Sequence, residues 1–385
     1  MLIGGALVMA GCGGESEYPP LRADLGPGTT LPSMVTAPTD ISVDVPDVQT
    51  TGDGSTTEEE DEIVATGDWQ DVTANLEGLS SSCGNVSFVS AHPETSEVMV
   101  NISTRGLFAL SDESDAWDVI GSSIDHRTQW VDYDPEDPDR FWVSGAYGTG
   151  VYRTLDGGST FSQLGSIDHV DQISVDETDP DRQTILAGKH EETSLMLSTN
   201  GGSSWRDIAG NLPTDVGFTS APLIQGSVFF VGSYQGDAAG IYRSEDGGET
   251  WEQVYDGAVI GGPVATDDYI AWNLDGGAGG LAVSRDGGET FERSGSTPGG
   301  RSTTLVPIGD GRLATVSRNG IAVTNDVGDS WDFVGPQLDF QPVGVAYSPE
   351  RSSYYVWTFT CNFGDEGNPV LPRSIMELSV EDSAS

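Results

Sequence analysis

Two short segments repeat a tetrad whose side chains could bind a metal ion, Ser123-Ile124-Asp125-His126 and Ser166-Ile167-Asp168-His169. The second tetrad is followed closely by one more histidine and three carboxylates, at Asp171, His190, Glu191 and Glu192. Imidazoles beside carboxylates can bind zinc or a similar divalent ion. A duplicated structural unit would produce the same tetrad without function. We therefore expect no cofactor, keep a divalent cation as the alternative, and leave the metal unknown.

Aromatic and polar residues recur between other segments that favour strands, namely Tyr147, Tyr234, Trp272, Asn273, Arg318, Asn319 and Phe363. Rings beside carboxylates on a concave surface suit sugar or peptide binding, but they suit ordinary loop packing equally well. We predict no catalytic residue. The candidate ligand-binding residues are Asp125, His126, Tyr147, Asp168, His169, His190, Tyr234, Trp272 and Arg318.

The composition limits the partners of this chain. Its 385 residues include 61 Asp and Glu against 16 Lys and Arg, a formal net charge of −45. Such a surface repels nucleic acid and anionic lipid headgroups. The 51 glycines and the lack of long helical stretches favour many short strands joined by tight turns. We expect an all-β protein and a monomer.

An octapeptide recurs along the chain and is clearest at 244–251, SEDGGETW. Copies lie at 154–161, 198–205, 284–291 and 324–331, and a worn copy lies at 110–117. Their aromatic ends are 40 to 46 residues apart, a period typical of four-stranded propeller blades. The third position can accept hydrogen bonds from the turn, and glycine supplies backbone conformations that are costly for other residues. The predicted structural residues are Asp112, Asp156, Asn200, Asp246, Asp286 and Asp326.

On this octapeptide the chain resembles the BNR or Asp-box β-propellers, a group with sialidases, xyloglucan-cleaving glycosidases, sortilin-type receptors and a photosystem assembly factor. The resemblance covers about four fifths of the chain and implies fold rather than activity. Six copies give six blades, and strand-like runs remain at both ends. The run 69–76 reads like 205–212, a fourth strand and its exit, so we expect the N-terminal strand to complete a seventh four-stranded antiparallel blade.

Ring closure also brings together two cysteines. Cys361 would lie in a loop after a second strand and Cys83 in a loop entering the next blade, and such loops share one face of a propeller. We predict a Cys83–Cys361 disulfide, with two free buried thiols as the alternative.

The N-terminal segment resembles a bacterial lipoprotein signal. Residues 2–11 are apolar and end at Cys12 after small residues, although no Lys or Arg precedes them. Residues 13–67 are rich in Pro, Thr, Gly and acids, which favours a disordered tether. We therefore predict a signal peptide over 1–12 lipidated at Cys12, a tether over 13–67 and a propeller over 68–382. The protein would be lipid-anchored in the bacterial cell envelope, periplasmic or surface-exposed, and would contact the membrane only through its anchor.

The sialidases and xyloglucan-cleaving enzymes of this group each depend on particular residues or domains. A sialidase needs an Arg-Ile-Pro motif near the first blade, and the chain has none. A xyloglucan-cleaving enzyme carries two propellers and a pair of aspartates, whereas this chain has one predicted propeller. The leading hypothesis is an envelope-anchored, non-catalytic binding or scaffold propeller for a protein or glycan. The alternatives are a glycoside hydrolase using carboxylates of that face, and an assembly factor for a membrane complex.

Overall fold

The computed structural model describes residues 63–65, 67–79, 81, 85–111, 115–298, 302–359 and 374–382. Within them, antiparallel strands form seven sheets, each of which is one blade of a β-propeller. Two strands precede the first complete blade, β1 (Ile63–Ala65) and β2 (Gln70–Asp71). Blade one contains β3 (Val86–Ala91), β4 (Val98–Ile102), β5 (Gly106–Leu110) and β6 (Trp117–Gly121). Blade two contains β7 (Arg127–Tyr133), β8 (Phe141–Ala146), β9 (Val151–Thr154) and β10 (Ser162–Gln163). Blade three contains β11 (Val170–Val175), β12 (Thr184–Lys189), β13 (Leu195–Thr199) and β14 (Arg206–Asp207).

Blade four contains β15 (Phe218–Gln225), β16 (Val228–Tyr234), β17 (Gly240–Ser244) and β18 (Glu252–Asp256), and blade five contains β19 (Val259–Ala265), β20 (Ile270–Leu274), β21 (Leu281–Ser284) and β22 (Glu292–Ser294). Blade six contains β23 (Val306–Pro307), β24 (Leu313–Ser317), β25 (Gly320–Thr324) and β26 (Asp332–Val334). Blade seven contains β27 (Gly344–Ser348), β28 (Ser353–Trp357) and β29 (Ile375–Asp382). Two short 3₁₀ helices follow β2 and β14, at Ala74–Leu76 and Ala209–Asn211. The predicted all-β, seven-bladed fold is confirmed.

The last blade is completed by the N-terminal strands, as predicted. β2 pairs with β29 through Gln70 opposite Glu377, next to the predicted strand start at Trp69. β1 also pairs with β29, with Ala65 opposite Val380. The fourth strand is therefore made in two pieces, and the first piece lies inside the segment predicted as a tether over 13–67.

Side chains reinforce this closure on both sides of the seam. The Thr73 hydroxyl oxygen accepts hydrogen bonds from the backbone N–H groups of Ser374 and Ile375, at 2.8 and 3.1 Å. Asn75 exchanges two hydrogen bonds with the backbone of Trp117 in blade one. The Trp117 indole N–H donates to the carbonyl of Val72 at 2.8 Å. These bonds join the first and last blades without an exposed sheet edge.

The octapeptides close the turns between the third and fourth strands of blades two to six. The residue at the third position accepts a hydrogen bond from the backbone N–H four residues later, at 2.8–3.0 Å. The hydroxyl at the first position accepts one from the fifth residue, at 2.8–2.9 Å. Gly248 shows why glycine is needed at the fifth position, because φ is +87° and a Cβ would lie 2.6 Å from Ile208 Cδ1.

The core lies between neighbouring sheets. Trp142 and Val151 of blade two, for example, pack against Val170 and Ile173 of blade three, and all four side chains are buried. Trp130 of blade two also packs against β19 of blade five. A Cβ at Gly262 would overlap the Trp130 ring, so only glycine leaves room for it.

Alternating strand directions give the ring two distinct faces. The loops between strands one and two and the octapeptide turns share one face, and they are joined by hydrogen bonds such as Gly157 N to the Asp139 carbonyl, 2.9 Å. We call it the turn face. The blade entry loops and the loops between strands two and three share the other, which we call the cleft face.

Several predicted features lie outside the described residues. These are the lipidation site Cys12, the proposed disulfide Cys83–Cys361, the worn octapeptide residue Asp112 and residues 1–62. The described residues contain no apolar helix of the length that a membrane crossing requires.

Candidate functional site

The entry loops of blades two and three present Asp125 and Asp168 on either side of Thr149. Asp125 Oδ1 accepts hydrogen bonds from the Thr149 backbone N–H at 3.2 Å and from the Tyr152 hydroxyl at 3.1 Å. Thr149 also pairs with Asp168 in an isolated antiparallel bridge. The loop between β8 and β9 therefore holds the Asp125 carboxylate and the backbone of Asp168.

Around these carboxylates lies an open cleft of about 420 Å³. Gly148 forms part of its wall, and a Cβ there would lie 3.0 Å from His126 Cα and 3.1 Å from Asp125 Oδ1. A side chain at this position would crowd the Asp125 carboxylate. The lining residues are Asp125, Gly148, Thr149, Gln163, Ser166, Ile167, Asp168 and His169.

Lys189, the single lysine of the chain, contacts one of the two carboxylates. Its Nζ donates to the Asp168 carbonyl at 2.8 Å and to Asp168 Oδ1 at 2.5 Å, and it lies 3.7 Å from Glu192 Oε1. The hydrogen bond and charge of Lys189 lower the pKa of Asp168. Asp168 is therefore held ionised beside the cleft.

A chain of hydrogen bonds lies next to the cleft. His190 Nδ1 lies 2.7 Å from Asp171 Oδ1, and His190 Nε2 lies 2.8 Å from the Tyr147 hydroxyl. Burial lowers the pKa of His190, but the hydrogen bond and charge of Asp171 outweigh it, so the pKa is raised above 6.5. The Tyr147 ring also packs edge-on against His169, with 5.7 Å between centroids, which links this chain to the cleft lining.

Backbone geometry in this sector is unusual. Tyr147, His169 and Glu191 all have positive φ, at 60°, 48° and 51°. Each such residue costs about 1–3 kcal/mol unless its surroundings compensate. A hydrogen bond from His190 N to the His169 carbonyl, 2.7 Å, holds two of these loops together.

The other predicted site residues are placed differently. His126 is fully buried below the cleft, and burial lowers its pKa to about 4. Trp272 is fully buried on β20, in the core between blades four and five. Tyr234 packs against Phe218 in blade four, and Arg318 is exposed on blade six. The structure thus brings together Asp125, Tyr147, Asp168, His169 and His190, and leaves these four outside the cleft.

Gly148, Thr149 and Gln163 line the cleft but were not among the predicted site residues. They carried no signal, because nothing in the sequence marks which residues a loop directs inward. Lys189, which contacts Asp168 beside the cleft, did carry one, since a single lysine in so acidic a chain is conspicuous. Among the residues covered by the structure, no three His, Cys, Asp or Glu side chains are grouped as a metal site requires.

On the turn face, acidic loops serve as structure. Arg182 binds Asp134 through two hydrogen bonds of 2.8 Å, and both side chains are inaccessible to solvent. Arg140 approaches the same carboxylate at 2.6 Å, and Arg182 also reaches Glu136 at 3.0 Å. Burial raises the pKa of Asp134, but the hydrogen bonds from Arg182 and the backbone outweigh it and leave that pKa lowered.

Comparison with known proteins finds that the chain is similar to glycoside hydrolases. No protein-family model matches the chain. A curated relative, the oligoxyloglucan reducing-end-specific xyloglucanase of Emericella nidulans, is 26% identical over 215 residues, which is 49% of this chain and 26% of that protein. The chain thus spans about a quarter of this relative's length.

GH74 enzymes are among the solved structures that share the fold. A GH74 enzyme from Niastella koreensis superposes with a TM-score of 0.57 at 14% identity, over 79% of this chain and 55% of its own. The GH74 xyloglucanase from Xanthomonas campestris gives 0.52 at 16% identity, over 76% and 52%. This chain is therefore a seven-bladed propeller with xyloglucanase structural neighbours, and it covers about half the length of each.

These relationships contradict the leading hypothesis from the sequence. The expected non-catalytic binding or scaffold propeller was wrong, since the curated relative is a xyloglucanase and both solved structures described above are GH74 enzymes. The alternative hypothesis, a glycoside hydrolase, is favoured instead. The error arose because the octapeptide reports on blade turns, which have the same chemistry in catalytic and non-catalytic propellers.

Proposed function

We propose that the protein is a glycoside hydrolase acting on xyloglucan-type β-glucans, with Asp125 and Asp168 as its carboxylate pair. The observation that carries the proposal is the 26% identity over 215 residues to a xyloglucanase. The cleft supports it, because two carboxylates there border open space on either side of Thr149. Glycoside hydrolysis commonly uses one carboxyl as an acid and another as a base or nucleophile.

The surroundings of the two aspartates suggest which role each has. Asp168 is paired with Lys189, which favours the ionised form, so it suits the base or nucleophile. The acid then falls to Asp125, whose Oδ1 is fixed by Thr149 and Tyr152. The glycosidic oxygen would lie on the Asp125 side of the cleft, where a proton can be delivered to the leaving sugar.

Single variants of the full chain test this assignment. Wild-type protein should release reducing ends from xyloglucan, and Asp125→Asn and Asp168→Asn should each lower kcat by about 10²–10⁴-fold. Asp237→Asn is the matched control, because it removes an exposed charge from the cleft face outside the cleft. Wild-type protein that releases no reducing ends from any β-glucan would refute the proposal.

A substrate with a good leaving group separates the two roles. A nitrophenyl glycoside of the same oligosaccharide needs little help from an acid, so it should restore much of the activity of Asp125→Asn. It should not rescue Asp168→Asn, which lacks the base or nucleophile. Equal rescue of both variants would show that the roles are assigned wrongly.

We also propose that the enzyme acts outside the cytoplasm, anchored through a lipid on Cys12, with residues 13–62 as a spacer. This location fits a polysaccharide substrate, which is too large to enter a cell unaided. Cys12→Ala should release the protein from the membrane fraction and abolish labelling by a fatty-acid analogue. Unchanged membrane association of this variant would contradict the anchor.

A further inference from the structure

The Asp171–His190–Tyr147 chain has no role in the acid–base assignment above, yet it borders the cleft. Its two hydrogen bonds are short, at 2.7 and 2.8 Å, and the His190 side chain is largely buried. Tyr147 immediately precedes Gly148 and Thr149, which line the cleft, and its ring contacts the cleft residue His169. An arrangement this well ordered fixes the position of the Tyr147 hydroxyl.

Charged groups reach His190 from several elements. Asp171 lies on β11 and Arg127 lies on β7. Glu191 follows His190 in the loop after β12, and its Oε1 lies 4.0 Å from His190 Nε2. Asp171 and Glu191 favour the protonated imidazole, whereas Arg127 and burial oppose it. The carboxylates prevail, since the pKa of His190 is raised.

Protonation of His190 decides the direction of the hydrogen bond to Tyr147. When His190 is charged, both ring nitrogens are donors, so Nδ1 donates to Asp171 and Nε2 donates to the Tyr147 oxygen. Because a charged imidazole cannot accept a hydrogen bond, the Tyr147 O–H then turns away from His190 and donates to another acceptor. When His190 is neutral, Asp171 retains the proton on Nδ1, Nε2 becomes an acceptor, and Tyr147 donates to it.

We propose that Asp171 and His190 are positioning residues which direct the Tyr147 hydroxyl to donate to a sugar oxygen beside the cleft, and that this donor is withdrawn when His190 loses its proton. The inference rests on the proposed function for the identity of the ligand. It adds a specificity-determining contact, Tyr147, and a pH dependence of binding that is separate from the catalytic carboxylates.

Binding measured on an inactive background isolates this effect. In full-length Asp125→Asn/Asp168→Asn protein, the Kd for a xyloglucan oligosaccharide, measured by calorimetry, should rise between pH 5.5 and 8.5. Adding Tyr147→Phe should weaken binding by about three- to tenfold at pH 5.5 and flatten the pH profile. Adding His190→Gln should keep tight binding at both pH values, because a glutamine amide N–H can replace Nε2–H at every pH.

A matched tyrosine provides the control. Tyr269 donates a hydrogen bond to the Gly311 carbonyl on the turn face, so Tyr269→Phe should leave the pH profile of binding unchanged. A profile that is flat in the inactive background, or that persists in Tyr147→Phe, would overturn the inference.

A second measurement needs no ligand. The chain has four histidines, so selective ¹⁵N-histidine labelling gives few imidazole signals. One should titrate above pH 6.5, disappear in His190→Gln and move to lower pH in Asp171→Asn. Absence of such a titration overturns the inference, even if xyloglucan is hydrolysed. The expected titration without any oligosaccharide binding or hydrolysis overturns the proposed function, and with it the sugar as ligand.

Discussion

On the turn face, carboxylates are surrounded by donors from the chain itself, whereas on the cleft face comparable carboxylates border open space. Asp134 is closed in by Arg182 and Arg140, and Asp326 by Thr324 and Ser330. Asp125 and Asp168 each have local partners as well, but both line the cleft. Because the chain has 61 Asp and Glu residues, the presence of a carboxylate does not indicate a functional site. Its role depends on whether it borders the protein's own donors or open space.

The largest expected effect comes from breaking the ion-pair network around Asp134 on the turn face. Arg182→Met would remove two charge-assisted hydrogen bonds from buried Asp134 and leave Arg140 as its remaining guanidinium partner, which should lower the free energy of unfolding by about 2–3 kcal/mol. Denaturant unfolding measures the loss, and the exposed Arg206→Met is the control, with a change within about 0.5 kcal/mol. A small loss for Arg182→Met would show that the network is not structural.

Breaking the Lys189–Asp168 ion pair on the cleft face should change activity rather than stability. Lys189→Met removes the charge that lowers the pKa of Asp168, so that pKa rises and the acid limb of the pH–activity curve moves to higher pH. The free energy of unfolding should change by no more than about 0.5–1 kcal/mol, because the pair is partly exposed. An unshifted acid limb would remove Asp168 from the mechanism.

A smaller effect is expected in a single octapeptide. Asp326→Ala removes the acceptor for Ser330 and Thr324 and should cost about 1 kcal/mol of stability. Asp326→Asn should cost less, since Asn200 fills the same position in blade three and its Oδ1 accepts the same two hydrogen bonds, while its amide N–H donates to the Ser204 hydroxyl instead of accepting from it. The exposed Asp332→Ala serves as control. Equal losses for Ala and Asn would mean that charge, not hydrogen bonding, closes the turn.

The smallest effect is a decline in stability with acid. Hydrogen bonds from Thr250 and Thr290 lower the pKa values of Asp246 and Asp286 from 3.8 to about 2. Their contribution is complete above pH 3.8, the ordinary value, and is lost as the pH falls through about 2. The decline in Tm between pH 4 and 2 should be smaller in Asp246→Asn/Asp286→Asn than in wild type.

Repetition made the fold predictable from the sequence. The octapeptide spacing located blades two to six, and the likeness of 69–76 to 205–212 predicted both the closing strand and its exit. The structure gives each of these segments a two-residue strand and a 3₁₀ helix. Local hydrogen bonding determines such features, so a local pattern suffices to find them.

The site was less predictable, because it depends on what covers each residue. The two tetrads are identical in sequence, yet His126 is buried and His169 is exposed. The loop containing Gly148 passes over His126, whereas His169 lies at the surface against Tyr147. Trp272 was expected in a loop but occupies β20, where Ile270, Trp272 and Leu274 all pack into the core.

The most direct test of the central claim is a crystal structure of full-length Asp125→Asn/Asp168→Asn protein with a bound xyloglucan oligosaccharide. We predict sugar rings across Thr149, with one glycosidic oxygen within hydrogen-bonding distance of residue 125 and the adjacent anomeric carbon facing residue 168. An oligosaccharide bound on the turn face, or elsewhere on the cleft face away from these two residues, would contradict the account.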